Sequence, residues 1–237
     1  MEQEFSGVDM NNKLIDRRKD GLLAGVSLLL MAVAAGFSFG YVYSGMVIPD
    51  QDSQTMANLS EGMGLFRAGA WGWVLVLILD VVVAVALYRY FKPVHAALSA
   101  LAGALRLVYS AILAWAISHL FTAMGQVISG ADAAEVITSL NTFEGIWSGG
   151  LVVFGLHLIG LGMLSLRSGF VPRLWGWLLV VAGLSYTGVH GARVLLPGME
   201  AQVQQAEILL SLPMALGELG FAIWLIYAFF RTRKPAV

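Results

Sequence analysis

The sequence predicts an all-α polytopic membrane protein: a bundle of six transmembrane helices with both termini on the cytoplasmic side. Three observations predict it. The composition is 58% hydrophobic and 12% charged, about half the charge of an ordinary soluble domain, with a mean hydropathy of +0.77. Six apolar runs are each long enough to cross ~30 Å of hydrocarbon, which takes about 20 helical residues. No ten-residue alternating segments of a membrane β-barrel occur.

The first span covers roughly 21–44. It is longer than the ~7–15 apolar residues of a signal peptide and lacks a convincing cleavage site, so it reads as a retained anchor. Residues 1–20 precede it as a cytoplasmic tail. The second and third spans, 69–91 and 96–121, are joined through Phe91-Lys92-Pro93, and the fourth and fifth, 146–167 and 173–195, through Phe170-Val171-Pro172. Each connection places a proline where the next helix begins, a position that tolerates its missing N–H. An offset of 79 brings Leu87 onto Leu166 and Leu105 onto Leu184, a thin match to a helix pair used twice. The outer connections, about 45–68 and 122–145, are long enough to fold over the mouth of the bundle. Asp132 to Leu140 could form an interfacial helix there, with Ala133, Val136, Ile137 and Leu140 on one face. Pro197 and Gly198 end the fifth span. The sixth, 208–230, carries Pro213 five residues before Glu218, where a kink would free a carbonyl near that acid. Residues 21–230 thus form one transmembrane domain, followed by a basic tail at 231–237.

Charge sets the orientation, because Lys and Arg collect on the cytoplasmic side. Of the 14 basic residues, all but Arg67, Arg106 and Arg193 fall in the two tails or the second and fourth connections. The outer connections hold Asp50, Asp52, Glu61, Asp132, Glu135, Glu144, Glu200 and Glu207. Tyr41, Tyr43, Trp71, Trp73 and Trp147 are expected as outer interfacial anchors, and Tyr88, Tyr90, Trp175, Trp177 and Tyr227 as inner ones. The glycines of the fourth and fifth spans, among them Gly155, Gly162, Gly176 and Gly183, suit close helix packing in lipid. With no cysteine, disulfides, iron–sulfur clusters and thiol chemistry are excluded. A net charge of −1 gives no case for nucleic-acid binding. Neither a phosphate loop nor a serine-nucleophile elbow is present.

Four ionisable residues sit near the middle of four different spans: Asp80, Arg106, His157 and Glu218. Each of the acids and the arginine costs roughly 2.5–3.5 kcal/mol at a helix centre on insertion scales, so they must face one another, water or a solute. At 1.5 Å of rise per residue the four reach a similar depth. Tyr109 and Ser110 share the Arg106 face at i+3 and i+4. The expected site is a midplane polar pocket of Asp80, Arg106, Tyr109, His157 and Glu218. There two carboxylates face one guanidinium, and the excess acid can hold a proton, bind a cation or pair with protonated His157. Nearer the outer face, Tyr186, His190 and Arg193 form a stripe that, with His119 and Glu144, reads as an outer vestibule. His119 and His190 lack the spacing of a metal or haem site, so neither a metal nor a cofactor is expected.

Leu79-Asp80-Val81, Leu87-Tyr88-Arg89, Lys92-Pro93, Leu105-Arg106-Leu107-Val108, Phe154-Gly155-Leu156-His157-Leu158, Arg167-Ser168-Gly169 with Pro172, and Gly217-Glu218-Leu219 together resemble the bacterial membrane family catalogued as domain of unknown function 4386. The resemblance covers nearly the whole chain from the second helix on. It implies a six-helix protein of the bacterial cytoplasmic membrane and brings no activity. From the residues, the leading expectation is a carrier or channel-like protein that binds a small polar solute or a proton, with Arg106 as anion anchor or counter-ion and Asp80, His157 and Glu218 as titratable partners. A membrane-embedded enzyme acting on a lipid is one alternative. A non-catalytic accessory or sensor subunit with a protein partner is the other.

Overall fold

The computed structural model describes residues 2–196 and 198–231, with side chains from residue 15 onward except at Glu200. Pro197 and the tail residues Arg233 and Lys234 lie outside the described residues. The secondary structure they form is helical throughout. Helix α1 (Glu2–Ala35) runs on through a π-helical stretch, Gly36–Tyr43, into the single turn α2 (Ser44–Met46); α3 (Asp52–Glu61) follows. The remaining helices are α4 (Met63–Phe91), α5 (Ala96–Ser129), α6 (Ala133–Arg167), α7 (Arg173–Leu195) and α8 (Glu200–Arg231). Six helical stretches are long and apolar enough to cross a membrane: Ile15–Met46, α4, α5, α6, α7 and Ala201–Arg231. The protein is a six-helix membrane bundle.

Local chemistry sets the helix ends. Between α4 and α5, the His95 side chain accepts the Leu98 N–H at 3.1 Å, and Ser99 Oγ donates to the Tyr88 carbonyl at 2.9 Å, tying the hairpin shut. Pro172 caps α7, and the preceding turn contains Gly169 at φ 71°, a left-handed conformation that glycine adopts without penalty.

The far end of the bundle departs from the expected loops. Residues 122–145 are not a long connection carrying a short interfacial helix. Instead α5 and α6 continue to a tight turn in which Gly130, at φ 75°, ends α5 and Asp132 Oδ1 accepts the Glu135 N–H at 2.9 Å to start α6. At 34 and 35 residues these helices are about 50 Å long, well beyond the ~30 Å of hydrocarbon. The extension holds because the apolar stripe continues: Val136, Leu140 and Phe143 are fully buried. The Tyr43 hydroxyl donates to the Leu140 carbonyl, and α3 packs against α4, α5 and α6.

Each spanning helix packs on its neighbours in sequence, and α8 returns to α1. The six therefore close into a ring. Its outside is the apolar one, with Leu30, Val33, Ile78, Trp115, Leu184 and Ile223 all exposed, as a lipid solvent requires. Pro213 lies inside an unbroken α8. The carbonyl that its missing N–H leaves unbonded is that of Leu209, about 14 Å along the axis from Glu218, so it is not part of the site.

Close approach of α6 and α7 rests on glycine. A Cβ on Gly183 would lie 2.6 Å from the Gly155 carbonyl oxygen, whereas one on Gly188 of the same helix would meet nothing within 4 Å. Gly183→Ala is therefore expected to lower stability by about 1–3 kcal/mol. Gly188→Ala should leave it unchanged, both measured by denaturation in mixed detergent micelles.

Candidate functional site

The ring brings three of the four mid-span ionisable residues into direct contact. Arg106 on α5, Asp80 on α4 and His157 on α6 are each about 1% exposed or less. Arg106 Nη2 lies 2.6 Å from Asp80 Oδ1. This is a charge contact whose angle is not that of an aligned hydrogen bond, since Oδ1 has no hydrogen-bond partner among the described residues. Asp80 Oδ2 accepts from Ser110 Oγ at 2.5 Å, a hydroxyl that also lies 2.9 Å from the Arg106 carbonyl. Ser110 is one turn along α5 from Arg106, so the helix phase delivers both groups to the same carboxylate.

His157 completes the network, and its partners determine its tautomer. Nδ1 lies 2.8 Å from the Ala102 carbonyl, which can only accept, and Nε2 lies 3.1 Å from Arg106 Nη1, which can only donate. The ring is therefore the neutral form with its proton on Nδ1. The expected pairing of a carboxylate with protonated His157 is replaced by arginine donating to a neutral imidazole. Arg106 also approaches Met31 Sδ of α1 at 3.9 Å, and its guanidinium lies 5.3 Å from the centre of the Phe154 ring. Its Nε is buried and has no hydrogen-bond partner among the described residues.

Glu218 stands apart from this network. It is half-buried on α8, and its carboxylate accepts a hydrogen bond from the Tyr186 hydroxyl of α7 at 2.8 Å. Between the two groups lies a cavity of about 270 Å³ whose wall includes Asp80, Tyr109, Tyr186 and Glu218. Arg106 and His157 do not line it. They sit behind Asp80, so the expected five-residue pocket resolves into a buried network and an open cavity that share only Asp80.

The rest of the wall was not foreseen as part of a site. Trp73, Trp147 and Phe154 line the cavity together with apolar side chains of α1 and α8 such as Leu28, Met31 and Ala215. Trp73 is 2% exposed, and Trp147 Nε1 donates to the Tyr109 hydroxyl at 3.3 Å. Both tryptophans were expected as interfacial anchors, as was Tyr43, which is also buried. The signal was available: residues two apart on a helix point nearly opposite ways, so Trp71 and Trp73, or Tyr41 and Tyr43, cannot both face lipid. Trp71 and Tyr41 are the exposed members. Trp73 is seven residues before Asp80 and Trp147 seven before Phe154, spacings that return to the same helix face.

A second cavity of about 440 Å³ lies beyond the first, and Trp147 and Leu151 line both. Glu144, His190 and Arg193 line this one, with Ser148 Oγ 2.9 Å from His190 Nδ1 and Arg193 paired to Glu207. Of the other vestibule residues, Tyr186 belongs to the first cavity, and His119 is half-buried and lines neither. Phe39, from the π-helical stretch, packs edge-on against Trp147 with ring centres 4.9 Å apart and lines the second cavity. Among the described residues no three His, Asp or Glu side chains converge as a metal site.

A family model described as "Domain of unknown function (DUF4386)" matches residues 23–228. The chain is also similar to an "Uncharacterized protein" of Archaeoglobus fulgidus, at 32% identity over 143 residues, which are 60% of this chain and 72% of that one. The similarity thus reaches an archaeal protein. No solved structure matches the chain.

The buried pair makes a stability prediction. Arg106→Met leaves Asp80 buried without its counter-ion, and should cost about 3–5 kcal/mol. Arg106→Met combined with Asp80→Leu should recover most of that loss, read as a double-mutant cycle by denaturation in detergent micelles.

Proposed function

We propose that this integral membrane protein, which belongs to the family described as Domain of unknown function (DUF4386), is a carrier or channel-like protein that takes a small polar solute or a proton into the cavity at the middle of its ring. The observation that carries this is Glu218. Asp80 has a guanidinium against it, but the Glu218 carboxylate has only the Tyr186 hydroxyl among the described residues. A polar network that served packing alone would pair its charges within itself, as Arg106 and Asp80 do. An additional acid on a cavity wall at membrane depth marks a place for something that comes and goes.

The reading also gives the second cavity a role. Its charged wall suits a vestibule on the outer side, which the distribution of Lys and Arg assigns to the face away from the termini. Trp147 and Leu151, common to both cavities, would then form the partition a solute must pass. The setting proposed is a bacterial cytoplasmic membrane with both termini inside. Arg106 acts in this scheme as the fixed counter-ion of Asp80, not as an anion anchor, because its guanidinium is already engaged on two sides.

A carrier's cavity must be reachable from water, and the absence of cysteine gives a clean background for testing this. Leu151→Cys and Ala215→Cys in sealed vesicles should react with a water-soluble maleimide added to one side. Lipid-facing Val33→Cys should not react. Failure of both cavity cysteines to react from either side, in protein that remains folded, would rule the proposal out.

A further inference from the structure

We infer that the solute of the midplane cavity is a small amphiphilic organic cation, held with its positive group against Glu218 and its apolar body among the aromatic side chains; this rests on the solute-binding reading above and names the class of solute. Asp80 and Glu218 line the cavity, and no Lys, Arg or His does. Because Arg106 neutralises Asp80 from behind the wall, Glu218 is left as the one acid of the cavity whose ionised form has no counter-charge. An anion would meet that carboxylate with no cation to receive it. A cation supplies the counter-charge that the structure gives Asp80 and withholds from Glu218.

The remaining wall is aromatic and aliphatic. Five of the cavity's fifteen residues are aromatic, and one of them, Tyr186, is hydrogen-bonded to the acid itself. Aromatic faces carry negative potential and attract organic cations, whose charge is spread over alkyl groups and weakly hydrated. The bundle itself uses this attraction where Arg106 lies over Phe154. A bare metal ion would need several oxygen ligands, and among the described residues no such group converges. Most of the other lining is aliphatic, which favours a solute that is mainly hydrocarbon around a single charge.

Size and access agree. A volume near 270 Å³ lies at the lower edge of the ~300–1,000 Å³ typical of small-molecule sites, so the ligand is small. On the α1–α8 side the wall mixes Leu28 and Met31 with the short side chains Ala32, Ala35 and Ala215, and Ala215 and Leu219 are exposed residues of α8. Two residues of the cavity wall therefore also face outward, toward the lipid in which an amphiphilic cation concentrates.

The test uses purified full-length protein in lipid nanodiscs and three probes of similar size: benzyltrimethylammonium, the neutral benzyl alcohol and the anionic benzenesulfonate. Quenching of tryptophan fluorescence reports occupancy, in a background where Trp71, Trp115, Trp175, Trp177 and Trp224 are replaced by Phe so that only Trp73 and Trp147 emit. Benzyltrimethylammonium should bind at least about tenfold more tightly than either of the others, a difference of about 1.4 kcal/mol. Glu218→Gln should remove that preference and Glu218→Asp should retain it. Equal binding of the three probes, or a preference for the sulfonate, overturns the cation assignment and leaves solute binding standing. No binding by any probe, in protein whose cavity cysteines react with maleimide, also overturns it. Unreactive cavity cysteines instead sink the solute-binding reading on which it rests.

Discussion

Everything at the centre of this bundle is organised around one charge that cannot be removed. Arg106 is protonated at any accessible pH, and stripping water from it costs several kcal/mol unless its N–H groups and its charge are both answered. Asp80 answers the charge from α4, and His157 answers an N–H group from α6, as the neutral imidazole that the Ala102 carbonyl fixes. Ser110 then takes a hydrogen bond position on the carboxylate. Four polar side chains on three helices thereby define the register of α4, α5 and α6 against one another, in a membrane where apolar contacts alone discriminate weakly between registers.

The consequence for function is subtraction. Once Asp80 is neutralised by Arg106, the only uncompensated charge among the mid-span residues is Glu218, held across the cavity by Tyr186. The arrangement separates two jobs that a single cluster could not do together. The arginine network pairs its charge within the bundle, so it stabilises. Glu218 faces a space with aromatic walls, so it is free to change partners. Trp147 connects the two, since it donates to Tyr109 on the arginine helix and also divides the midplane cavity from the one beyond it.

The six spans and the mid-span depth of Asp80, Arg106, His157 and Glu218 were legible in the sequence, because hydrocarbon thickness and the cost of burying charge act on composition alone. Family membership was legible too, through short motifs around those residues. Which carboxylate pairs with Arg106 was not, because that depends on which helices become neighbours in the ring. The helical hairpin of α5 and α6 beyond the membrane was misread as loop: its start is polar enough to resemble one, and the Val136–Leu140–Phe143 stripe acquires meaning only when α3 and Tyr43 cover it. The π-helical stretch at Gly36–Tyr43 leaves no periodic signature in eight residues. Trp73 and Trp147 were misassigned for a different reason, since interfacial enrichment was applied without asking which way each side chain points.

The arginine network holds the helices together without Glu218, which the proposed function leaves free for a solute. The measurement that bears on this most directly is the stability of Glu218→Gln against wild type in detergent micelles. A glutamine there keeps an acceptor for the Tyr186 hydroxyl and removes a charge that has no counter-ion, so the variant should unfold at the same denaturant concentration or higher. A loss as large as that caused by Arg106→Met would contradict the claim, placing Glu218 inside the network that holds the helices together.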